Sequence, residues 1–203
     1  MKDKSELLNF IVNLAKEAGK NQLFYFGKKL STKTKSSNID FFTEADLTSE
    51  KFIISEIEKK YPEHSILTEE SGFYDKKSEF RWVIDPLDGT TNFKNNIPIF
   101  AVSIALQKNE KTIYAAVYNP AADKCFYAEK KKGAFLNGER IYISSSNTLS
   151  DSLLVTGFPY LHDTYYNLSF EIFKDFYDSS QGVRRLGAAA LDLCFVAMGR
   201  FAG

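Results

Sequence analysis

The chain has little cysteine, little histidine and no surplus of either charge. Its two cysteines, Cys125 and Cys194, are too few and too far apart for a disulfide framework or a zinc site. Cys194 sits in an apolar helical run and reads as a small core residue. The two histidines, His64 and His162, lack metal-ligand spacing, so both read as surface or structural residues. Lys plus Arg number 26, as do Asp plus Glu, so no net field recruits nucleic acid or membrane. The one basic run, "EKKKG" at 129–133, reads as a solvated turn. No run approaches the roughly 18 apolar residues of a membrane span. The N-terminus is charged and amphipathic, unlike a signal peptide, so a reduced, cytoplasmic setting is the expectation. Internal repeats and low-complexity segments are absent.

What is present suits a packed protein. The 203 residues are 44% hydrophobic and 26% charged, enough for one large domain or two small ones with a buried core. The first 27 residues read as one helix. Leu7, Ile11, Leu14 and Ala18 make its apolar stripe, Asp3 with Glu6 resembles a capping box, and Gly27 is the stop. "KKLSTKTKSSNIDFFT" follows, polar enough to predict a mobile loop. A second helix is predicted from about Glu44 to Lys60, with Leu47, Ile54 and Ile57 inward and Pro62 ending it. The period then changes to short β-like runs, with Gly133 and Asn137-Gly138 as turn signals, and predicts an antiparallel meander. "DSLLVTGF" reads as a buried strand, 164–178 as a helix, "GVRRLG" as a short strand, and "AAALDLCFVAMGR" as a helix buried on most sides. That last helix stands close to the final Gly203, with no later segment to cover it. Helices and strands mix without strict alternation, which predicts a layered α+β fold around a mostly antiparallel sheet. Residues 1–150 would form an N-terminal metal-binding half, and 151–203 the start of a second half.

The chemistry concentrates in "RWVIDPLDGTTNF", Arg81 to Phe93. Trp82, Val83 and Ile84 end a strand, and Asp85 sits where it leaves the sheet. Pro86 stiffens the turn and removes an amide. Asp88 follows three residues on, so both carboxylates and the Leu87 carbonyl can converge. Oxygens so crowded repel unless a hard cation such as Mg²⁺ sits among them. Gly89 permits a positive φ, and Gly89, Thr90 and Thr91 open a short helical turn whose amides attract an anion. Metal beside an anion nest is what a phosphate ester needs. The same string is also a serviceable β-turn. "LTEES" ends another β-like run with Glu69 and Glu70, and "TEAD" puts Asp46 in the first turn of helix two. A solvated pair and a dipole-compensating acid are the plainer readings. Three acidic clusters at three element ends fit one shared site better.

"WVIDPLDGTTNF", the upstream "EES" and the downstream "GAAALDLCFVAMGR" together resemble the inositol monophosphatase family, over essentially the whole chain and in order. The resemblance implies a Mg²⁺-dependent, lithium-sensitive phosphomonoesterase with a layered αβαβα fold, commonly a homodimer. It implies two or three Mg²⁺ ions, with Mn²⁺ as a substitute, and Glu69, Asp85, the Leu87 carbonyl and Asp88 as ligands. Asp85 would bridge two ions, Glu69 would orient the attacking water, and Glu70 would support it. Thr90 would bind and polarise that water, while the Gly89 and Thr90 amides hold phosphate. Asp46 resembles an acid near a third, weaker metal, and Lys35 a loop lysine near the site. Gly187 and Ala188 fall where the family binds substrate hydroxyls through Gly-Ser or Gly-Thr. With alanine there, only backbone atoms are on offer.

A second departure is the ending. The family continues well past this point with a Trp-Asp pair, whose aspartate completes the second metal site, and with a Glu that contacts substrate. An incomplete second half with a weakened second metal is the expectation. The implied substrate is a small phosphorylated polyol or sugar, inositol monophosphate first. Fructose 1,6-bisphosphate, 3′-phosphoadenosine phosphates, NADP and histidinol phosphate are the alternatives within the superfamily. An inactive homologue that keeps metal or phosphate binding is the alternative outside catalysis.

Overall fold

The computed structural model describes residues 5–28, 32–37, 40–158 and 164–203, and of residues 32–43 the backbone alone, so His162 lies outside it. Helix α1 (Glu6–Tyr25) starts at Ser5, whose side chain accepts from the Leu8 amide at 3.3 Å. The helix thus begins later than expected and uses Ser5 as its cap; Asp3 lies outside the described residues. Its buried stripe is Leu8, Ile11, Leu14, Ala15, Ala18 and Gln22, with Leu7 only half-buried. Gly19 lets the helix close on the sheet, because a Cβ there would lie 2.6 Å from the Tyr118 ring.

Strands β1 (Thr32–Ser37) and β2 (Asp40–Thr43) pair as an antiparallel hairpin where a mobile loop was expected. Thr32, Thr34, Phe41, Phe42 and Thr43 favour extended backbone, and that preference outweighs the polar composition. Helix α2 (Glu44–Lys60) follows. Ile53 and Ile57 face the core as helix periodicity demands, while Leu47 and Ile54 are half-buried. The same helix buries Asp46, Ser49 and Glu50, which sequence periodicity did not announce.

The chain then builds β3 (Ser65–Thr68), β4 (Gly72–Tyr74), β5 (Phe80–Asp88), helix α3 (Thr90–Lys94), β6 (Ala101–Lys108), β7 (Lys111–Asn119), β8 (Lys124–Glu129), β9 (Gly133–Leu136) and β10 (Glu139–Arg140). These strands form one sheet in the order β10-β9-β8-β7-β6-β5-β3-β4. Every neighbouring pair is antiparallel except β3 with β5. Alternation along β6 sorts the two faces. Val102, Ile104 and Leu106 pack with Leu8, Ile11, Ile53 and Ile57, while Ala101 packs with Phe126, Ala188 and Leu191 on the opposite side.

Strand β11 (Leu153–Val155), helix α4 (Tyr166–Ser179), strand β12 (Gly182–Arg184) and helix α5 (Ala189–Ala197) complete the chain. β11 and β12 pair in parallel as a separate small sheet. The residues of β11 are half-buried, not buried as expected. α5 is also less covered than its composition suggests: only Leu191 and Asp192 are buried, and Leu193 is 71% exposed. An apolar sequence reports what a helix can bury, and here the sheet supplies one wall only. The arrangement is the expected layered α and β fold, a mostly antiparallel central sheet flanked by helices.

Candidate active site

The parallel pairing of β3 with β5 brings two acids together. Ser65 to Thr68 pair with Arg81 to Ile84, and the Glu69 amide extends the ladder to the Ile84 carbonyl at 3.2 Å. Parallel strands end on the same sheet edge, so Glu69 emerges beside Asp85. An antiparallel pair would have put them at opposite ends. Burial, followed by the charges of Glu69 and Asp88, pushes Asp85 well above the usual carboxylate range.

Beyond Asp85 the strand continues to Asp88 rather than leaving the sheet. Asp85 opposes Ser103 and Asp88 opposes Ala101, so one strand spends an extra residue and forms a bulge. Pro86 sits inside that bulge, where its missing amide costs no ladder bond. The Leu87 amide donates to Asp85 Oδ1 at 3.0 Å. Gly89, at φ +89°, turns the chain into α3. A side chain there would meet the Ile99 carbonyl at 2.9 Å and the Ala188 Cβ at 3.1 Å. Thr90 Oγ1 lies 3.0 Å from the Leu87 carbonyl oxygen and 3.3 Å from Asp46 Oδ1. Asp46 is buried in the first turn of α2, so its partner is a hydroxyl and its role exceeds dipole compensation.

Asp88 faces another way. Its Oδ1 accepts from the Ala189 amide at 3.0 Å and its Oδ2 from the Ala190 amide at 2.8 Å. Burial raises its pKa, those amides pull it back, and Glu69 raises it again. The start of α5 is thereby tied to the end of β5. Asn92 reinforces the tie by donating to the Ile99 and Leu186 carbonyls, both at 2.8 Å. Gly187, at φ +82°, and buried Ala188 therefore stand against Asn92 and Gly89. Glu69 itself is exposed and Glu70 half-buried. Lys35 lies on β1, and its side chain is outside the described residues.

Three supporting residues were not found by sequence reading. Buried Glu50 accepts from Thr68 Oγ1 at 2.5 Å, from the Ser71 amide at 3.0 Å and from Ser71 Oγ at 2.6 Å. It thereby grips both ends of the segment that carries Glu69 and Glu70. Buried Gln22 donates to the Pro86 carbonyl at 2.6 Å. Asp192 is buried with its Oδ1 unpartnered, and burial, then Asp88, pushes its pKa up to about 6 against the pull of Arg185. Available signals were Glu50 four residues after Asp46, on one helix face, and a lone acid in the apolar run of α5.

Residues 3–203 match the model of the inositol monophosphatase family. The chain belongs to that family. It is similar to the Nus factor SuhB of Pasteurella multocida, at 40% identity over 97% of this chain and 74% of that one. It is similar to the inositol-1-monophosphatase of Mesorhizobium japonicum, at 38% identity over 98% of this chain and 76% of that one. It also resembles the fructose-1,6-bisphosphatase/inositol-1-monophosphatase of Aquifex aeolicus, at 44% identity over 84% and 67%. Among solved structures, the extragenic suppressor protein suhB of Bartonella henselae superposes with a TM-score of 0.92 at 38% identity, covering 97% of this chain and 76% of that one. The chain thus spans about three quarters of several inositol monophosphatase relatives. No described helix is long and apolar enough to cross a membrane.

The residues present suit a hard cation in donor chemistry but not yet in convergence. Among the described residues, no three His, Cys, Asp or Glu side chains are arranged to hold a metal ion. Burial, then the charges of Glu69 and Asp88, raise the Asp85 pKa, and a divalent cation would offset that like-charge crowding. Asp88 spends one lone pair of each oxygen on α5 and keeps the others.

Proposed function

We propose that the protein hydrolyses a phosphate monoester in a Mg²⁺-dependent reaction, with an inositol monophosphate as the leading substrate. The observation that carries this reading is the emergence of Glu69 beside Asp85 at the end of the β3–β5 ladder, with the Thr90–Asp46 contact, in a member of the inositol monophosphatase family. Glu69 and Asp85 would hold Mg²⁺, or Mn²⁺ in its place, with the Leu87 carbonyl and the remaining lone pairs of Asp88. Bound there, the cation would neutralise phosphate oxygens and lower the pKa of a bound water. The Thr90 hydroxyl, when it donates to Asp46, leaves its oxygen lone pairs to accept a proton from an incoming water. Asp46 is then the group that takes up the threonine proton. The carboxylate of Glu69, exposed at the strand end, orients the same water. The amides of Gly89 and Thr90 open α3 without intrahelical acceptors and suit a phosphate oxygen. Gly187 and Ala188 contribute backbone groups to the substrate side. Lys35 is proposed for the same rim, on its position in the sequence.

The test is phosphate release from inositol 1-phosphate with and without Mg²⁺, run beside fructose 1,6-bisphosphate. Metal-dependent release is the expected result, and its ratio between the two substrates assigns the substrate. Absence of release from every phosphate ester tried, at saturating Mg²⁺, would assign the chain to the binding-only reading.

A further inference from the structure

His64 stands immediately before β3, at the end of that strand remote from Glu69. Its ring lies between Tyr61, with centroids 5.0 Å apart and planes 13° apart, and Phe80, at 4.8 Å and 19°. Its Nδ1 receives the indole N–H of Trp82 at 3.1 Å. An indole nitrogen only donates, so Nδ1 must be bare and the ring proton must sit on Nε2. Trp82 is fully buried on β5, paired with Ile66 of β3 and Leu106 of β6. The bond therefore joins β3 to β5 at one end of the ladder whose other end sets Glu69 beside Asp85.

We propose that His64 is a positioning residue: its unprotonated Nδ1 holds the Trp82 indole and so fixes the β3–β5 alignment that places Glu69 against Asp85. A one-residue slip of either strand would turn every side chain to the opposite face, so the ladder needs such a pin. The pair β3–β5 is the one parallel pair of the central sheet, and it has no tight turn to set its register. Protonating Nδ1 replaces the acceptor with a second donor and breaks the bond. The surroundings disfavour that protonation. Just after α2 the facing titratable group is Tyr61, and from β5 the neighbours are the apolar Phe80 and Trp82. Lys60 lies over the Tyr61 ring at 5.7 Å and pairs with Glu6, while Lys108 lies over the Phe80 ring at 5.0 Å and pairs with Glu79. Exposed Glu63 precedes the histidine in the chain. Burial lowers the His64 pKa below its ordinary value. The contribution of the bond is thus full above the unfolded imidazole value of about 6.5 and is lost as pH falls through the lower folded value.

The activity arm of the test rests on the function proposed above; the spectroscopic arm does not. Trp82 is the chain's single tryptophan, so its emission and indole resonance report this contact alone. At pH 8, nitrogen NMR should show His64 Nδ1 without a proton, and emission should change on acidification with a midpoint below about 6.5. Two variants separate the acceptor from the ring. His64→Phe keeps an aromatic face but accepts nothing, while His64→Gln offers Oε1 and does not titrate. In His64→Phe, exchange of the Glu69 amide should quicken about fivefold, the equivalent of one hydrogen bond, while amides of β7 and β8 keep their rates. His64→Gln should restore the Glu69 rate and abolish the emission titration. If the native chain releases phosphate, His64→Phe should lower kcat by a similar factor with KM unchanged. A chain that releases none overturns the proposed reaction, and the exchange rates still decide the role of His64. A protonated Nδ1 at pH 8, or equal Glu69 exchange in native and His64→Phe protein, would overturn the inference.

Discussion

Glu50 offers the most informative single perturbation. It is buried on α2 and accepts three hydrogen bonds, from Thr68 Oγ1, the Ser71 amide and Ser71 Oγ. Truncation to alanine strands the Thr68 hydroxyl, which is buried and has no route to water. That group alone costs about 1–2 kcal/mol. Ser71 is exposed, so its amide and hydroxyl turn to water and cost together about 1 kcal/mol. The vacated methylenes add about 1 kcal/mol. A loss near 3–4 kcal/mol lowers Tm by roughly 10 °C in a chain of this size. Glu50→Gln behaves differently. Its Oε1 still receives the Thr68 hydroxyl and the Ser71 amide, and its amide nitrogen donates to Ser71 Oγ. The cost falls to about 1 kcal/mol, or roughly 3 °C. Thermal melts followed by circular dichroism, without metal at pH 7.5, measure both. Glu50→Ala melting within about 2 °C of the native chain would show that Glu50 does not anchor this segment.

Asp85→Asn should raise the metal-free Tm at pH 7.5 and remove any Mg²⁺ response. The folded pKa of Asp85 is raised, so the stability carried by its protonated form is lost as pH rises, and a neutral isostere avoids that loss. Its Oδ1 can still accept from Leu87. Asp192→Asn should follow the same sign in a defined window: no effect below about pH 4, and a higher Tm than native above about 6, the value to which that carboxyl is pushed. Asp88→Asn should abolish Mg²⁺-dependent phosphate release in the malachite-green assay; unchanged turnover removes Asp88 from the site. Gln22→Leu strands the Pro86 carbonyl and should cost about 1–2 kcal/mol in urea unfolding, with no change in the urea m-value.

The fold was legible where periodicity and turn chemistry agree. The α1 and α2 stripes, the β-rich middle and the Asn137-Gly138 turn all rest on local rules. The β1–β2 hairpin was hidden because its polar residues carry no apolar alternation. The exposure of α5 was hidden because composition does not say which neighbours exist. Within the site, "DPLDGTT" announced the bulge residues and Gly89, whose positive φ and close contact with Ile99 leave room for glycine alone. The approach of Glu69 to Asp85 depends on a parallel strand pair, which a meander reading did not predict. The turn of Asp88 toward the α5 amides depends on residues about a hundred positions away, beyond any local rule. Glu50 and Gln22 were missed because a polar residue on an otherwise apolar face looks like an interruption until its partner is known.

Calorimetric titration of Mg²⁺ into the chain at pH 7.5, repeated in two buffers of different ionisation enthalpy, tests the central claim most directly. Entry of a cation between Glu69 and Asp85 favours their charged carboxylates, so the heat should saturate and vanish in the Glu69→Gln, Asp85→Asn double variant, and any difference between the buffers counts the proton that the raised Asp85 carboxyl gives up. A flat titration in the native chain, or a saturating heat that survives in the double variant, would contradict it.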